Sequence, residues 1–557
     1  MAKILAPFFE ALKNAASGLA LDAEAIMLEV EGQYLWLNPK SFVPYCPMRD
    51  RFAARFNRTI RNIAIIPCSS FVPDLVPYFQ SQFENVYICD TYKTGQIEGI
   101  PIQRLAEVKN QNPDLWFMVT RDPDLQTHFL AQLKDQRVLL AEDFFEVSDV
   151  LEMEMNAEEL AQVQGFRDVI HAANRPVVVL DAQYFNNYCP TYAALETQGF
   201  NVFLTSRREH ILYAAPDTRF MDLPFEHKAI LNLPQRVWLL QNLERGVVLI
   251  NHVSYLIPGF DTRKAIASMA YPTALMALAQ VPVVLYLYDM VSPITKNLDY
   301  QADYLTIYQR MVHQADGLIL NSNLPGGQTL LRNSLGLRQP TLSYLRYNES
   351  VEQLAEREKD GFHIALVGGM DDDLRDIAAL LRRVLAMGLH VHNYVQNHKT
   401  EAFIASLSAE EMSFFHNHPS IQDQKALIYE VSRFHAGWIL DNTYKWIDLL
   451  ANIKDPVLRD LMLAFRLSTV TSSQMLLGAA GLPCILNRTM TEIGQHFPSP
   501  FFLYLEASEL DSLPSTLHSP AWQERLAFCQ SHRHHFESKT HIHQLAQFLT
   551  PFLEQHP

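Results

Sequence analysis

The sequence predicts an α/β protein assembled from three successive parallel-sheet units. Three observations lead there: short runs that are apolar throughout, helical periodicity between them, and one charged segment that sets the last group apart. A strand that is apolar along its whole length suits a parallel sheet covered on both faces. Regular alternation of such strands with helices gives the doubly wound class.

The first group lies within about residues 45–150 and contains Asn62–Pro67, Val86–Cys89 and Leu115–Thr120. Helical sequence from Asn156 to Ala173 follows it. The second group, residues 176–347, contains Pro176–Asp181, Asn201–Ser206, Gly246–Asn251, Pro282–Tyr288 and Gly317–Ser322. The charged stretch Glu349–Asp360 then reads as an exposed linker. The third group contains Phe362–Gly369, Leu389–Val395, His435–Asn442 and Pro483–Asn487. These groups divide the chain into residues 1–160, 161–348 and 349–557.

Length and composition agree with that division. A chain of 557 residues corresponds to about three or four units at roughly 150 residues each. Hydrophobic residues make up 48% and charged residues 19%, so large buried cores are expected. The net charge of -16, with no concentrated basic stretch, argues against nucleic acid as the main partner. A nucleotide-sugar needs only a few local donors and stays open. The six cysteines are scattered without a CxxC pair, which reads as reduced thiols in a cytoplasmic protein.

Two apolar stretches require a choice. Ile4, Leu5, Phe8, Phe9 and Leu12 share one helical face, with Lys3 the only charge before them. This predicts a docked amphipathic helix rather than a signal peptide. No charge occurs between Lys264 and Asp289, but Pro272, Gln280 and Pro282 interrupt the stretch. It reads as a buried helix, Ala265–Ala279, followed by a strand, Val281–Tyr288, and not as a membrane span. In the tail, His532, His534, His535, His541 and His543 lack an acidic or Cys partner at ligand spacing. A solvated helix or loop is expected there, and no metal is assigned.

Several phrases carry chemistry. Leu195-Glu-Thr-Gln-Gly-Phe-Asn-Val-Phe-Leu-Thr205 reads as a helix closed by Gly199 as a left-handed cap, then a strand. Val247-Val-Leu-Ile-Asn-His-Val-Ser254 ends a strand on Asn251 and His252. Carboxyl ends of strands line the ligand crevice of an open α/β sheet. The following strand ends in Tyr286-Leu-Tyr-Asp289, and the next is Gln314-Ala-Asp-Gly-Leu-Ile-Leu-Asn-Ser-Asn323, preceded by a helix with Tyr308 and Met311. In the third group, Ile364-Ala-Leu-Val-Gly-Gly369 places Gly368 and Gly369 where backbone N–H groups can approach a diphosphate. Gly478-Ala-Ala-Gly-Leu-Pro-Cys-Ile-Leu486 closes a helix that begins near Ser472, with Thr471, Ser472 and Ser473 at its positive end.

Taken in this order, the phrases over about residues 170–500 resemble the GT-B glycosyltransferases, in particular the group 1, family 4 type. The resemblance implies two Rossmann-like domains facing a cleft, here with an additional N-terminal α/β domain. It also implies sugar transfer from a nucleotide-sugar, which is a substrate; no cofactor is expected. The N-terminal side would hold the acceptor and the C-terminal side the donor. Donor-binding positions are then Gly368, Gly369, Asp441, Asn442, Arg466, Thr471, Ser472, Ser473 and Glu492. His252 is the candidate base on the acceptor hydroxyl, since imidazole titrates near pH 6.5, and Asp289 would orient it or bind the acceptor. For each of these a structural role competes: His252 in the crevice wall, and Asp289, Ser472, Ser473 and Glu492 as helix caps.

The chain also departs from the family. Retaining members carry a Glu in the donor loop and another on the following helix, whereas Phe465–Gln474 contains no carboxylate and Leu476 takes the helix position. Met370 is followed by Asp371, Asp372 and Asp373, an acidic run that reads as a solvated helix start, with Arg375 or Arg466 as the phosphate-gripping cation. Stereochemistry stays open. Two functions follow: a glycosyltransferase acting on a glycan, lipid-linked or protein acceptor, in bacterial surface polysaccharide or flagellin glycosylation, or an inactive GT-B-like binding protein in a glycan assembly system. An NAD-dependent oxidoreductase is disfavoured because no GxGxxG opens any group.

The first group contains Val86-Tyr-Ile-Cys-Asp90-Thr-Tyr-Lys93-Thr-Gly-Gln-Ile-Glu-Gly-Ile-Pro-Ile102. It looks like the N-terminal domains of some sugar-modifying acyltransferases, where an acid at Asp90's position meets a ribose. The first strand ends Pro67-Cys-Ser-Ser-Phe71 without a Gly-rich loop, so docking or homo-oligomerisation is the expected role of this domain. Peripheral membrane contact is compatible with the sequence.

Overall fold

The computed structural model describes residues 4–555 except 32–47, 70–71, 92, 121–122, 152, 181–184, 210–218, 252–261, 288–300, 321–331, 334, 346, 369–376, 397, 422, 441–450, 452, 461–469, 489 and 491–496. Within these residues the strands form three sheets.

The first sheet contains β1 (Asn62–Ile66), β2 (Asn85–Cys89), β3 (Gln96–Ile97), β4 (Ile100–Gln103), β5 (Leu115–Met118) and β6 (Val138–Leu140), ordered β3-β4-β2-β1-β5-β6. Only the small β3–β4 hairpin is antiparallel, and its turn residues Glu98 and Gly99 both have positive φ, as a tight hairpin turn requires.

The middle sheet contains β7 (Pro176–Leu180), β8 (Asn201–Ser206), β9 (His227–Ile230), β10 (Val247–Asn251), β11 (Val283–Leu287), β12 (Gly317–Leu320) and β13 (Thr341–Ser343). Its order is β13-β12-β11-β10-β7-β8-β9, all parallel. The last sheet contains β14 (His363–Leu366), β15 (His390–Asn393), β16 (Phe415–Asn417), β17 (Ala436–Trp438), β18 (Cys484–Asn487) and β19 (Phe502–Leu505), ordered β16-β15-β14-β17-β18-β19 and parallel throughout. Counted within each unit, both orders run 3-2-1-4-5-6, with a seventh strand on the middle sheet. That is the Rossmann order, and it reverses between β7 and β10 and again between β14 and β17. Two such sheets in one chain, preceded by an additional α/β sheet, make the GT-B architecture with an N-terminal extension.

The middle sheet is covered on both faces. Val178 and Leu180 join an apolar core shared with the first unit, whereas Val177 and Val179 join one shared with the C-terminal unit. Helix Ala6–Ala16 buries Phe8 and Leu12, and Phe8 meets Tyr271 of helix Thr262–Met276 edge-on at 5.1 Å. The amphipathic N-terminal segment is therefore docked as expected. So is the uncharged stretch: it forms the buried helix Thr262–Met276 and strand β11. No helix among the described residues is long and apolar enough to cross a membrane.

Helix Ser538–Gln555 returns to the middle sheet. Phe552 lies over Gly317 of β12, where an added Cβ would stand 2.5 Å from the ring. Thr550 Oγ1 accepts a hydrogen bond from Arg175 just before β7, at 2.6 Å. The segment 349–360 is not a free linker. Ala355 is buried and donates its N–H to Ser432 Oγ at 2.8 Å, and Arg357 donates to the Phe434 carbonyl at 2.8 Å. Glu352, Glu356, Lys359 and Asp360 are exposed as their charge predicts, while the backbone between them is strapped to the turn that precedes β17.

Candidate functional site

In an open α/β sheet, ligands bind beyond the carboxyl ends of the strands flanking the point where the order reverses. In the last sheet those strands are β14 and β17. β14 ends at Leu366, and the chain reaches Gly368 two residues later. An added Cβ on Gly368 would stand 3.1 Å from Ser473 Oγ, a tighter approach than side chains normally make. The glycine thus lets the strand-end turn lie directly against the first turn of helix Ser472–Ala479.

That helix is built for its position. Thr471 is its N-cap, accepting from Gln474 N at 3.2 Å, while Gln474 Oε1 accepts from Thr471 N at 2.5 Å. This is a reciprocal capping box. It leaves the first-turn N–H groups of Ser472 and Ser473 without carbonyl partners inside the helix. Ser472 is exposed and Ser473 half-buried, so their hydroxyls and N–H groups line the positive helix end beside Gly368. Gln474 is 1% exposed, and its Nε2 has no hydrogen-bond partner among the described residues. Sequence reading overlooked this residue; its signal is a Gln three positions after a Thr cap.

The paired glycines downstream have packing roles. Gly478 faces Phe536, whose ring atoms would lie 2.5 Å from an added Cβ. Gly481 has a φ of 70°, and the Leu482 N–H bonds back to the Leu477 carbonyl at 3.0 Å, closing the helix before β18. Gly199, with a φ of 78°, caps helix Phe185–Glu196 as predicted.

The structure thus brings Gly368, Thr471, Ser472 and Ser473 together. Thr471 serves as the cap. Gly369, Asp441, Asn442, Arg466 and Glu492 lie outside the described residues, as do His252, Asp289, Arg375 and the run Asp371–Asp373. Three of the strands leading into these segments are placed: β10 ends at Asn251, β11 at Leu287 and β17 at Trp438.

Asn251 itself faces the wall. It is 1% exposed, and its Nδ2 donates to the Tyr192 hydroxyl of helix Phe185–Glu196. Asp90 is likewise occupied: one carboxylate oxygen accepts from Cys68 N and the other from Lys93 N, both at 2.9 Å, while Lys93 Nζ donates to the Cys68 carbonyl at 2.6 Å. It ties the ends of β1 and β2 together, a role available to any acid buried at that corner.

Thiolate chemistry is disfavoured at four of the described cysteines. Burial pushes the Cys89, Cys189 and Cys529 thiols up to about 12, and that of Cys484 further up. No group of His, Cys, Asp or Glu among the described residues is arranged to hold a metal ion. In the tail, His541 stacks on Tyr347 at 4.0 Å and His532 on Phe528 at 3.8 Å.

No protein-family model matches the chain, and no curated protein matches it. Among solved structures it resembles a sucrose-phosphate synthase from Thermosynechococcus elongatus at 12% identity, over 69% of this chain and 100% of that one, with a TM-score of 0.48. It resembles a putative UDP-N-acetylglucosamine 2-epimerase from Listeria monocytogenes at 10% identity, over 69% and 98%, with a TM-score of 0.40. A third match is S. aureus TarM, solved with UDP, at 6% identity over 57% and 59%, with a TM-score of 0.39. At identities of 12% or less and TM-scores below 0.5, these likenesses leave the reading of function to this chain's own residues.

Proposed function

We propose that this protein is a glycosyltransferase that moves a sugar from a nucleotide-sugar to a glycan, lipid-linked or protein acceptor. The supporting observation is the Gly368 turn set against the first turn of helix Ser472–Ala479, at the order reversal of the last sheet. Departure of a nucleoside diphosphate develops negative charge. Backbone N–H groups and hydroxyls aimed at that charge from a helix N-terminus lower its energy.

In this reading Gly368, Gly369, Ser472 and Ser473 receive the diphosphate, with Arg466 as its cation and Thr471 holding the helix end in place. Asp441, Asn442 and Glu492 contact the rest of the donor, and Asn251 fixes the strand that presents His252. His252 takes the acceptor proton, oriented by Asp289. No metal or cofactor has a part in this scheme. The setting is cytoplasmic, in bacterial surface polysaccharide or flagellin glycosylation, and peripheral membrane contact is compatible with it. Residues 1–160, 161–348 and 349–557 act as accessory, acceptor-side and donor-side domains, the first also a surface for homo-oligomerisation.

A thermal-shift series with UDP-, GDP- and CMP-sugars tests the proposal, because a ligand bound only by the folded state raises its apparent stability. One nucleotide-sugar should stabilise the protein, and Gly368→Val should abolish that shift by driving a side chain onto Ser473. If no member of the series shifts the wild type, the donor site does not exist. The second reading, a catalytically silent binding protein, is favoured by the absence of any carboxylate from Phe465 to Gln474. Turnover of the stabilising donor, lost in His252→Ala, separates the two.

A further inference from the structure

One face of the last sheet carries a histidine array that the proposed transfer does not use. His390 and His392 alternate along β15, His416 and His418 along and just beyond β16, and His363 opens β14. Residues two apart on a strand share a face. The five imidazoles therefore converge, with His435 beside them where the chain enters β17.

The rings are joined by hydrogen bonds. Asp360 Oδ1 lies 3.1 Å from His363 Nε2, His363 Nδ1 lies 2.8 Å from His392 Nε2, and His392 Nδ1 lies 2.9 Å from His418 Nε2. A second pair joins His390 Nδ1 to His416 Nε2 at 2.9 Å. The direction of the first chain follows from its end. The Asp360 carboxylate, held below its usual range mainly by a backbone hydrogen bond and then by His363, can only accept. His363 must then donate from Nε2 and accept at Nδ1, which makes His392 Nε2 a donor to it and His418 Nε2 a donor to His392. His435 Nδ1 also accepts, from the His363 N–H at 3.1 Å. An imidazolium has two donors and no acceptor. Protonating His363, His392 or His435 therefore removes an acceptor that a neighbour requires.

Packing raises the cost of charge. His392 stacks 4.4 Å from His416, 5.1 Å from His418 and 4.1 Å from Phe434, and His363 stacks 4.5 Å from His390. His363, His392 and His435 are each less than 9% exposed. Among the described residues the charged groups facing the array are few, and Glu358 of the strap, 3.6 Å from Arg433, is one of them. Asp360 and Arg357 come from the strap before β14, and Glu430 and Arg433 from helix Gln424–Val431 and the turn after it. Tyr394 stacks on His418 at 4.6 Å, and its hydroxyl meets Glu430 at 3.1 Å. Three acids, Glu358, Asp360 and Glu430, against two arginines leave one negative charge, too little to stabilise several imidazoliums.

We propose that this array is an acid-sensitive lock on the outer edge of the C-terminal sheet, holding β15 and β16 in place while its histidines are neutral and releasing that edge on acidification. Burial comes first among the causes that lower the proton affinity of His390, His392, His416, His418 and His435. It holds His390, His416 and His418 below the usual value, His435 at about 4 and His392 at about 2. An imidazole freed from the array titrates near pH 6.5. Below that pH the open edge binds more protons than the closed one, so its stability is complete above about pH 6.5 and falls as pH drops. His392 and His435, each still neutral at pH 5, favour opening by about 30-fold apiece between pH 7.5 and 5. The half-exposed rings give less.

Hydrogen exchange on the full chain at pH 7.5 and 5.0, corrected for the intrinsic rate, tests the lock. Peptides covering 390–393 and 415–417 should open at least about tenfold more at pH 5.0, while those covering 62–66, 115–118 and 176–180 keep their protection. His392→Phe, which replaces the central ring with one that cannot charge and still packs on Phe434, should flatten that response. His416→Asn, at a half-buried edge position, should reduce it as well. The lock is refuted by an edge that stays protected at pH 5.0, by loosening of all three sheets together, or by variants that respond like the wild type.

Discussion

Glu31 shows what one side chain can hold. Its Oε1 accepts from Arg207 Nη1 at 3.1 Å, from Arg236 Nη2 at 3.3 Å and from the Tyr271 hydroxyl. All four residues are buried, and burial, ahead of the neighbouring charges, drives the Tyr271 hydroxyl far above its usual range. Removing one partner of a buried ion cluster costs about 3–5 kcal/mol, because the remaining charges lose their compensation. Glu31→Ala should therefore lower the thermal midpoint sharply and expose residues 6–31 to limited proteolysis. Gly317 makes the opposite point, since its value lies in having no side chain. Gly317→Ala should cost about 1–3 kcal/mol by overpacking against Phe552, measurable by denaturant unfolding. None of this was legible locally. Glu31 meets residues 176, 205 and 240 positions away, and nothing near it in sequence announces them. The phrase around Gly317 was recognisable, but its reason lies in the last helix.

At the scale of elements, every strand read from the sequence is present, and each lies inside its sheet. The strands that escaped reading are β3, β4, β6, β9, β13, β16 and β19, at or next to the sheet edges. A central strand is buried on both faces and reads as a continuous apolar run, whereas an edge strand can be short and mixed, as His227-Lys-Ala-Ile230 is. The candidate site was legible to the same degree. Gly368 and the helix beginning at Ser472 were found because strand-turn-helix punctuation is local. The closeness of Gly368 to Ser473 spans a hundred residues and needed the fold. The histidine array had a local signal, the alternations His390/His392 and His416/His418, which reading for apolar runs passed over. The cap of helix Ser472–Ala479 gives a test at this scale. Thr471→Ala should cost about 1 kcal/mol by freeing the Gln474 N–H, and should weaken nucleotide-sugar binding more than Thr471→Ser does, by calorimetry.

In the whole molecule the middle sheet is the hub, sharing one core with the first unit and another with the last. Helices Ala6–Ala16 and Ala23–Glu31, from the start of the chain, pack on helix Thr262–Met276, which lies between two strands of the middle sheet. Deleting residues 538–557 would strip Phe552 and Thr550 from the middle sheet although they belong to the far end of the chain. The expected result is loss of protection in β7 and β12 before loss in β1 and β5, read by hydrogen exchange.

The return of that last helix has a consequence for how the protein is made. The Arg175–Thr550 contact joins positions 375 residues apart. A ribosome must therefore have synthesised the chain through residue 552 before the middle sheet is sealed. Until then, the surface that Phe552 will cover waits in the open, at risk of capture by other nascent chains. Products that stop before residue 552 carry that uncovered face.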